Sequence, residues 1–138
     1  MREILFRGKR VDNGEWVEGC FGQHTSLDAF IIDRPYPAMS GELSALGFYE
    51  VDPSTVGQYT GLTDKNGKRI FEGDICLCDR NIAPSVDAQT FQILFDVEAG
   101  QWVGRGPNSD IDASQFFMCD VIGNVSDNPE LLEGGGTP

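Results

Sequence analysis

Three acidic residues near the middle of the chain have the spacing that comes closest to catalytic chemistry. Glu72 and Asp74 are two residues apart, and Asp64 lies shortly before them. Paired carboxylates can act as general acid and base when their surroundings separate their pKa values. The sequence has one histidine, His24, and contains neither a nucleophile elbow nor a Gly-x-x-x-x-Gly-Lys loop. Asp74 directly after Gly73 is also typical of a turn residue that accepts backbone N–H bonds. We therefore favour a non-catalytic protein and keep a carboxylate-based hydrolase as the weaker alternative.

Four cysteines, Cys20, Cys76, Cys78 and Cys119, are the other groups that could do chemistry. Cys76 and Cys78 would lie on one face of a strand, whereas a structural zinc site usually contains two cysteine pairs at wider spacing. The thiols of a cytosolic protein stay reduced. The sequence therefore predicts no metal and no cofactor, with the cysteines as small buried residues in a sheet. Any further role of Cys76 and Cys78 stays open.

The charge of the chain is strongly negative and unevenly distributed. The net charge is −12; residues 1–69 hold ten acids and eight bases (−2), and residues 70–138 hold twelve and two (−10). Because affinity for nucleic acid depends on basic contacts to phosphate, we expect no direct nucleic-acid binding. A soluble acidic surface explains the scattered acids. The alternative is an acidic nucleic-acid mimic that occupies a basic surface on a host protein.

The amino-terminal residues carry the densest basic patch, which consists of Arg2, Arg7, Lys9 and Arg10. An edge strand guarded by charge explains this patch. Met1 leads straight into charged residues, and no apolar run approaches the ~18 residues of a membrane span. We expect no signal peptide, no membrane segment and a cytoplasmic location.

Turn signals and short apolar stretches predict a mostly β protein, a small barrel or roll. The chain has 17 glycines and 7 prolines, and no segment sustains the apolar period of a helix. The most informative stretch is 56–78, where Asn66-Gly67 predicts a hairpin turn with positive φ at Gly67. A second hairpin is expected around Asn13-Gly14. Helical structure is limited to a short helix or 3₁₀ turn at 112–116, capped by Asp112, and one turn at 128–132.

These signals divide the chain into three parts. Residues 1–53 are expected to form an N-terminal β-hairpin subdomain with a loop at 33–47. Residues 54–133 form the β core, interrupted by a loop at 79–88, and residues 134–138 form a disordered tail.

A binding surface is expected on the central stretch, because rigid strands that end in glycine turns can hold polar groups in fixed positions. The candidate binding residues are Gly57, Tyr59, Thr60, Asp64, Lys65 and Asp74. The competing interpretation is that these residues only fold the chain, through glycine backbone shape, packing of Tyr59 and a turn at Asp74.

Three blocks of the sequence together carry a family resemblance. They are residues 2–10 with Gly14-Glu15-Trp16-Val17, residues 49–75 with Val56-Gly57-Gln58-Tyr59-Thr60-Gly61-Leu62 and Phe71-Glu72-Gly73-Asp74-Ile75, and Val121-Ile122-Gly123-Asn124-Val125 with Asn128-Pro129-Glu130-Leu131-Leu132. In this order the blocks resemble the YopX family of phage and prophage proteins. The stretch Cys76-Leu77-Cys78 departs from the plainer aliphatic strand of relatives, so any cysteine chemistry would be peculiar to this chain.

The resemblance implies a mostly β protein with a small SH3-like barrel around the central block, encoded by a phage or prophage and located in the cytoplasm of a bacterial host. It implies no established enzymatic activity. We therefore predict a non-catalytic, self-associating protein-binding module, whose partner is a second copy or a host or phage protein.

Overall fold

The computed structural model describes residues 4–23, 28–32, 36–37, 43–44, 47–78, 89–107 and 109–133. These residues form two compact units, residues 1–59 and residues 60–138. Within the described ranges, no helix is long and apolar enough to cross a membrane. The boundary expected at 53/54 stays a prediction.

Short strands make up most of the described chain. They are β1 (Phe6–Lys9), β2 (Trp16–Gln23), β3 (Ala29–Ile32), β4 (Tyr36–Pro37), β5 (Leu43–Ser44), β6 (Phe48–Val51), β7 (Gly57–Thr63), β8 (Arg69–Phe71), β9 (Asp74–Cys78), β10 (Gln89–Asp96), β11 (Gln101–Arg105), β12 (Asp110–Asp112) and β13 (Cys119–Asn124). Two 3₁₀ turns, Pro53–Thr55 and Ala113–Met118, and one helical turn, α1 (Glu130–Glu133), accompany them. The helical turn expected at 128–132 is thus confirmed, with Pro129 just before it.

The first unit begins with the hairpin of β1 and β2, which the sequence predicts from Asn13-Gly14. Gly14 has a φ of +74°, the left-handed region that glycine adopts without a steric cost. The backbone N–H of Arg10 donates to the carbonyl of Glu15 at 2.8 Å, and the Asn13 side chain accepts from the N–H of Glu15 at 3.0 Å. The prediction of this hairpin is confirmed.

The remaining strands of the first unit extend the sheet in the order β6-β3-β2-β1, with β7 on the other side of β1. A single bridge between Arg10 and Val51 also links the end of β1 to β6. Gly8 permits this approach, because an added Cβ would lie only 2.9 Å from the Val51 side chain. Val51 belongs to the apolar core of this unit, together with Ala29 and Ile31.

Strand β7 leads into the second predicted hairpin. The N–H of Asp64 donates to the carbonyl of Lys68 at 2.8 Å, and the N–H of Gly67 donates to the carbonyl of Asp64 at 3.0 Å. Gly67 has a φ of +80°, which confirms the predicted turn conformation. Strand β8 follows as the hydrogen-bonded neighbour of β7.

The second unit contains a five-stranded antiparallel sheet in the order β12-β11-β10-β9-β13. Strands β9 to β12 form a meander, and the 3₁₀ turn Ala113–Met118 returns the chain so that β13 pairs with β9. Asp112 caps this turn: its carboxylate accepts from the N–H of Ser114 at 3.0 Å, and the Gln115 side chain accepts from the N–H of Asp112 at 3.2 Å. The capped turn is therefore confirmed as 3₁₀.

One face of this sheet holds the core of the second unit. Because side chains alternate along a strand, every second residue of β9 and β10 points to that face. The buried residues are Ile70, Cys76, Cys78, Phe91, Ile93, Ile111, Phe116 and Cys119.

The mostly β class is confirmed, whereas the closed SH3-like barrel is not, since no sheet closes among the described residues. Strand β12 has three residues and pairs with β11 alone, and the Asp112 cap then turns the chain away from the sheet. Strands β12 and β13 therefore remain as edges.

The other sequence-based expectations about chain segments have different outcomes. The prediction of a loop at 33–47 is wrong at the four residues of β4 and β5, because these two strands pair with each other. Strand β4 includes a proline, which is tolerated on such an edge strand. Strand β12 is absent from the sequence-based prediction. His24, the loop at 79–88 and the tail at 134–138 lie outside the described residues.

We expect the substitution Gly67→Val to lower the free energy of unfolding by about 1 kcal/mol or more, because a β-branched residue resists positive φ. An added Cβ at Gly67 meets no atom within 4 Å, so the cost comes from the backbone. Chemical denaturation of the parent and the variant measures it.

Gly22→Val is the matched control. Gly22 lies in β2, has no positive φ in the structure, and its added Cβ also meets nothing within 4 Å. An equal loss of stability in both variants would contradict positive φ at Gly67 as the cause of the loss in Gly67→Val.

Candidate functional site

The structure buries five of the six residues that the sequence analysis selects for binding. Gly57, Tyr59 and Thr60 lie on β7, Asp64 and Lys65 in the hairpin turn, and Asp74 at the start of β9; only Lys65 is exposed. The Thr60 hydroxyl donates to the carbonyl of Ile70 at 2.8 Å. Such burial favours the competing interpretation, that these side chains fold the chain, while the binding role of the block stays a prediction.

Asp64 is the most connected of these residues. One carboxylate oxygen accepts from the N–H groups of Asn66 at 2.8 Å and Lys68 at 2.9 Å, and the other accepts from the N–H of Val121 at 3.0 Å. The first two bonds hold the hairpin turn, and the third reaches β13. The N–H of Lys65 also donates to the carbonyl of Cys119 at 3.0 Å. Asp64 thus ties the turn to the edge of the five-stranded sheet.

The electrostatics of Asp64 follow from these contacts. Burial raises the pKa of the Asp64 carboxyl, but the hydrogen bonds from Val121, Lys68 and Asn66, helped by the Lys68 charge, outweigh burial and hold this pKa below its usual value. The carboxyl is therefore ionised at neutral pH and stabilises backbone N–H groups. A general acid needs the opposite shift.

Asp74 has a comparable structural task at the next turn. Its carboxylate accepts from the N–H of Phe71 at 2.8 Å across the corner formed by Glu72 and Gly73. Gly73 has a φ of +92°, and its N–H donates to the carbonyl of Ile93 at 2.8 Å. The two aspartates considered for acid–base chemistry therefore both hold backbone turns.

Three of the four thiols are buried in the second unit. Cys78 lies directly opposite Cys119 on the paired strands, and Cys76 lies two residue pairs away, opposite Val121. Burial raises the pKa of Cys76 to about 12, and burial together with the hydrogen bond to Cys78 raises the pKa of Cys119 above its usual value. The described residues include no group of three or more His, Cys, Asp or Glu that could hold a metal ion.

A surface in the first unit presents cations held on aromatic rings. The Arg10 guanidinium lies 4.4 Å from the centre of the Tyr49 ring, and the Arg7 guanidinium lies 4.8 Å from that of Trp16. Arg10 also donates two hydrogen bonds, of 2.9 and 2.6 Å, to the carboxylate of Asp12, which lowers the pKa of Asp12. Arg10 is therefore fixed in place by a ring on one side and a carboxylate at its tip.

Two clefts of about 420 and 370 Å³ flank Arg10, and Arg10 and Val11 line both. The first is also lined by Lys9, Gly14, Asp52 and Pro53, and the second by Asp12, Phe48, Tyr49 and Glu50. We call these lining residues together the Arg10 surface. Val11 and Phe48 are 56% and 63% exposed, so apolar groups stand beside the fixed cation.

The sequence analysis notes the basic residues of this surface but assigns them to a guarded edge strand. The missing information is the bridge between Arg10 and Val51, which brings Tyr49 to Arg10 from 39 residues away in the sequence. The signal present in the sequence is Trp16, an aromatic residue that follows Arg7, Lys9 and Arg10 within the same predicted hairpin.

Comparisons with known proteins agree with this architecture of antiparallel β units. The family model described as YopX protein matches residues 6–133, so the chain belongs to the YopX family. A crystal structure of protein EF1440 from Enterococcus faecalis is similar to the chain, with a TM-score of 0.61 and 26% identity over 96% of this chain and 99% of that one. No curated protein matches the chain.

We expect Asp64→Asn to lower the free energy of unfolding by about 1–3 kcal/mol at pH 7, because an amide nitrogen would face the N–H of Val121. The folded pKa lies below the unfolded value of about 4, so the contribution of the carboxylate is complete above pH ~4. It is lost as the pH falls through the folded pKa. Urea denaturation at pH 7 and at low pH should show that the difference in the free energy of unfolding between parent and variant becomes smaller on acidification.

Asp110→Asn is the control, since Asp110 is exposed and its carboxylate accepts from the Arg105 guanidinium. If the difference in the free energy of unfolding between parent and Asp64→Asn stayed constant with pH, it would contradict the role given to the carboxylate.

We expect one thiol per native chain, that of Cys20, to react rapidly with a disulfide reagent at pH 8. Cys20 is exposed, whereas Cys76, Cys78 and Cys119 are buried. Burial excludes the reagent, and the raised pKa of Cys76 and Cys119 keeps them as thiols. Titration of the native and the denatured protein gives the number of accessible thiols and the total number of thiols. Cys20→Ser is the control. Rapid reaction of a second thiol in the native protein would contradict the burial of the other three.

Proposed function

We propose that this YopX-family protein is a non-catalytic protein-binding module that self-associates. The observation that carries the proposal is the Arg10 surface, where exposed apolar side chains and a positioned arginine line two clefts. Buried aromatic and arginine anchors account for much of the binding energy at protein interfaces. This surface offers such groups on a paired strand, so little ordering is needed on binding.

The chemistry of the central block supports binding over catalysis. Asp64 and Asp74 accept backbone N–H groups and build turns, which leaves them engaged in the folded state. A hydrolase that used them would have to break the turns that hold its own carboxylates. The hydrolase hypothesis is therefore the weaker one on these contacts.

Association through side chains is favoured over addition of strands at the edges of the five-stranded sheet. On β13, the carbonyl of Cys119 and the N–H of Val121 already bond to the turn at Asp64. On β12, Asp110 and Asp112 place charge on a short strand, which discourages pairing with another chain. The surface around Arg10 offers side-chain contacts instead.

Two parts of the proposal come from the family resemblance and the strand order. Strands β9 to β12 form a meander, and β13, which follows the 3₁₀ turn, pairs with β9, the first strand of that meander. This is the connectivity of an SH3-like barrel. We propose that the second unit is an open version of that fold. The resemblance adds a phage or prophage origin and a location in the cytoplasm of a bacterial host. A host or phage protein is the alternative partner.

Sedimentation velocity over a wide concentration range tests self-association. We expect the average mass to rise with concentration and to fall on adding salt, because exposed charges are screened within about 10 Å at 0.1 M salt. A protein that remains monomeric at every concentration and salt level contradicts the proposal.

Phe48→Ser locates the surface, with Phe117→Ser as the matched control. The two phenylalanines are 63% and 65% exposed, and only Phe48 lines a cleft beside Arg10. We expect Phe48→Ser to weaken association several-fold and Phe117→Ser to leave it unchanged, with both melting close to the parent. Equal effects of the two variants would argue against the Arg10 surface.

A further inference from the structure

The hairpin between β10 and β11 carries an apolar tip on a rigid turn. Val97 is 83% exposed, and next to it Phe95 is 40% exposed and packs edge-to-face on Trp102 with ring centres 5.2 Å apart. Five antiparallel residue pairs hold the two strands together up to Asp96 and Gln101. Exposed apolar groups on a well-ordered support are typical of a contact surface.

The turn itself is fixed by Asp96. Its carboxylate accepts from the N–H groups of Glu98 at 3.0 Å and Ala99 at 3.2 Å, and its carbonyl accepts from the N–H of Gly100 at 2.7 Å. Gly100 has a φ of +67°, which closes the turn. Val97 and Glu98 are therefore presented together at the end of the hairpin in a defined arrangement.

The charge at the tip is negative. Residues 95–101 contain two acids, Asp96 and Glu98, and no base. Arg105, further down β11, approaches Asp96 at 3.6 Å and Asp110 at 3.3 Å, which leaves Glu98 as the acid at the outer end. A surface that receives this tip needs apolar groups for Val97 and a cation for Glu98.

The Arg10 surface has that composition. Its larger cleft, of about 420 Å³, combines the apolar Val11 and Pro53 with the cations Lys9 and Arg10. The acid in this cleft, Asp52, accepts from the N–H and the hydroxyl of Ser54 and so is engaged in capping a 3₁₀ turn. The cleft therefore complements the tip in both polarity and charge.

We propose that the β10–β11 tip of one molecule docks on the Arg10 surface of a second copy, across its two adjoining clefts, with Val97 against Val11 and Pro53, and Glu98 beside Lys9. This proposal rests on the self-association proposed above and names the two surfaces that make it. The contact joins different surfaces of the two copies, so it is heterologous, and assembly can continue beyond a dimer or close into a ring. A contact made by one hairpin tip and one charge pair is expected to be weak and salt-dependent.

Charge reversal at the two sites tests the pairing. We expect Lys9→Glu alone and Glu98→Lys alone each to weaken self-association at least about tenfold, because each places like charges across the contact. The double variant regains association, since the pair is then reversed. Mixing the two single variants also regains it, because each chain retains a surface that the other complements. Sedimentation velocity at low salt measures all four samples.

Glu130→Lys is the control for Glu98→Lys, because it makes the same charge change at an exposed residue in α1. Thermal melting of every variant checks that the fold is retained. We expect Glu130→Lys to associate like the parent.

The outcomes separate this proposal from the one it rests on. A monomeric parent contradicts self-association itself. A parent that associates while both single variants do so equally well overturns the pairing and leaves self-association standing. Weakened single variants that recover neither in the double variant nor in the mixture also overturn the pairing, because the two charges then act on separate contacts.

Discussion

The carboxylate of Asp64 is the constraint on which the second unit depends. It closes the hairpin turn through two N–H groups and occupies the edge of β13 through a third. A buried charge that lost these donors would carry a large desolvation cost. The turn, the carboxylate and strand β13 therefore become ordered together or not at all. The neighbouring bond from Lys65 to the carbonyl of Cys119 strengthens the same junction. The hairpin thus serves as a clamp on the sheet, and the Asp64 carboxylate faces inward.

The same device recurs along the chain and explains part of its acidity. The carboxylates of Asp52, Asp74, Asp96 and Asp112 each accept a backbone N–H at a turn or cap, as Asp64 does. Short strands need many turns, and aspartate both initiates turns and satisfies their N–H groups. Five of the 22 acidic residues therefore have a local structural role. This reduces the need for a nucleic-acid mimic as an explanation, and it leaves the cations around Arg10 as the unusual feature of the surface.

The sequence predicts local structure here better than it predicts tertiary arrangement. Asn13-Gly14 and Asn66-Gly67 set their hairpins through local backbone conformation and side-chain bonds within the turn. The Asp112 cap is equally local, so these features are predictable from the residues. Sheet closure depends on the length of β12 and on where its chain leaves the sheet, which no short pattern encodes. The candidate site is harder still. Polar residues between glycines suggest an exposed surface, yet Asp64 is polar because it bonds buried backbone, while the Arg10 surface requires the long-range bridge to β6.

Amide hydrogen exchange at Val121 tests the role of Asp64 most directly. The N–H of Val121 bonds to the Asp64 carboxylate, whereas the N–H of Gly73 bonds to the carbonyl of Ile93 in the same unit and serves as an internal reference. With Asp64 replaced by asparagine, we predict that exchange at Val121 accelerates well beyond that at Gly73, because the edge of β13 opens locally. Equal acceleration at both amides, or no change at Val121, would contradict the clamp.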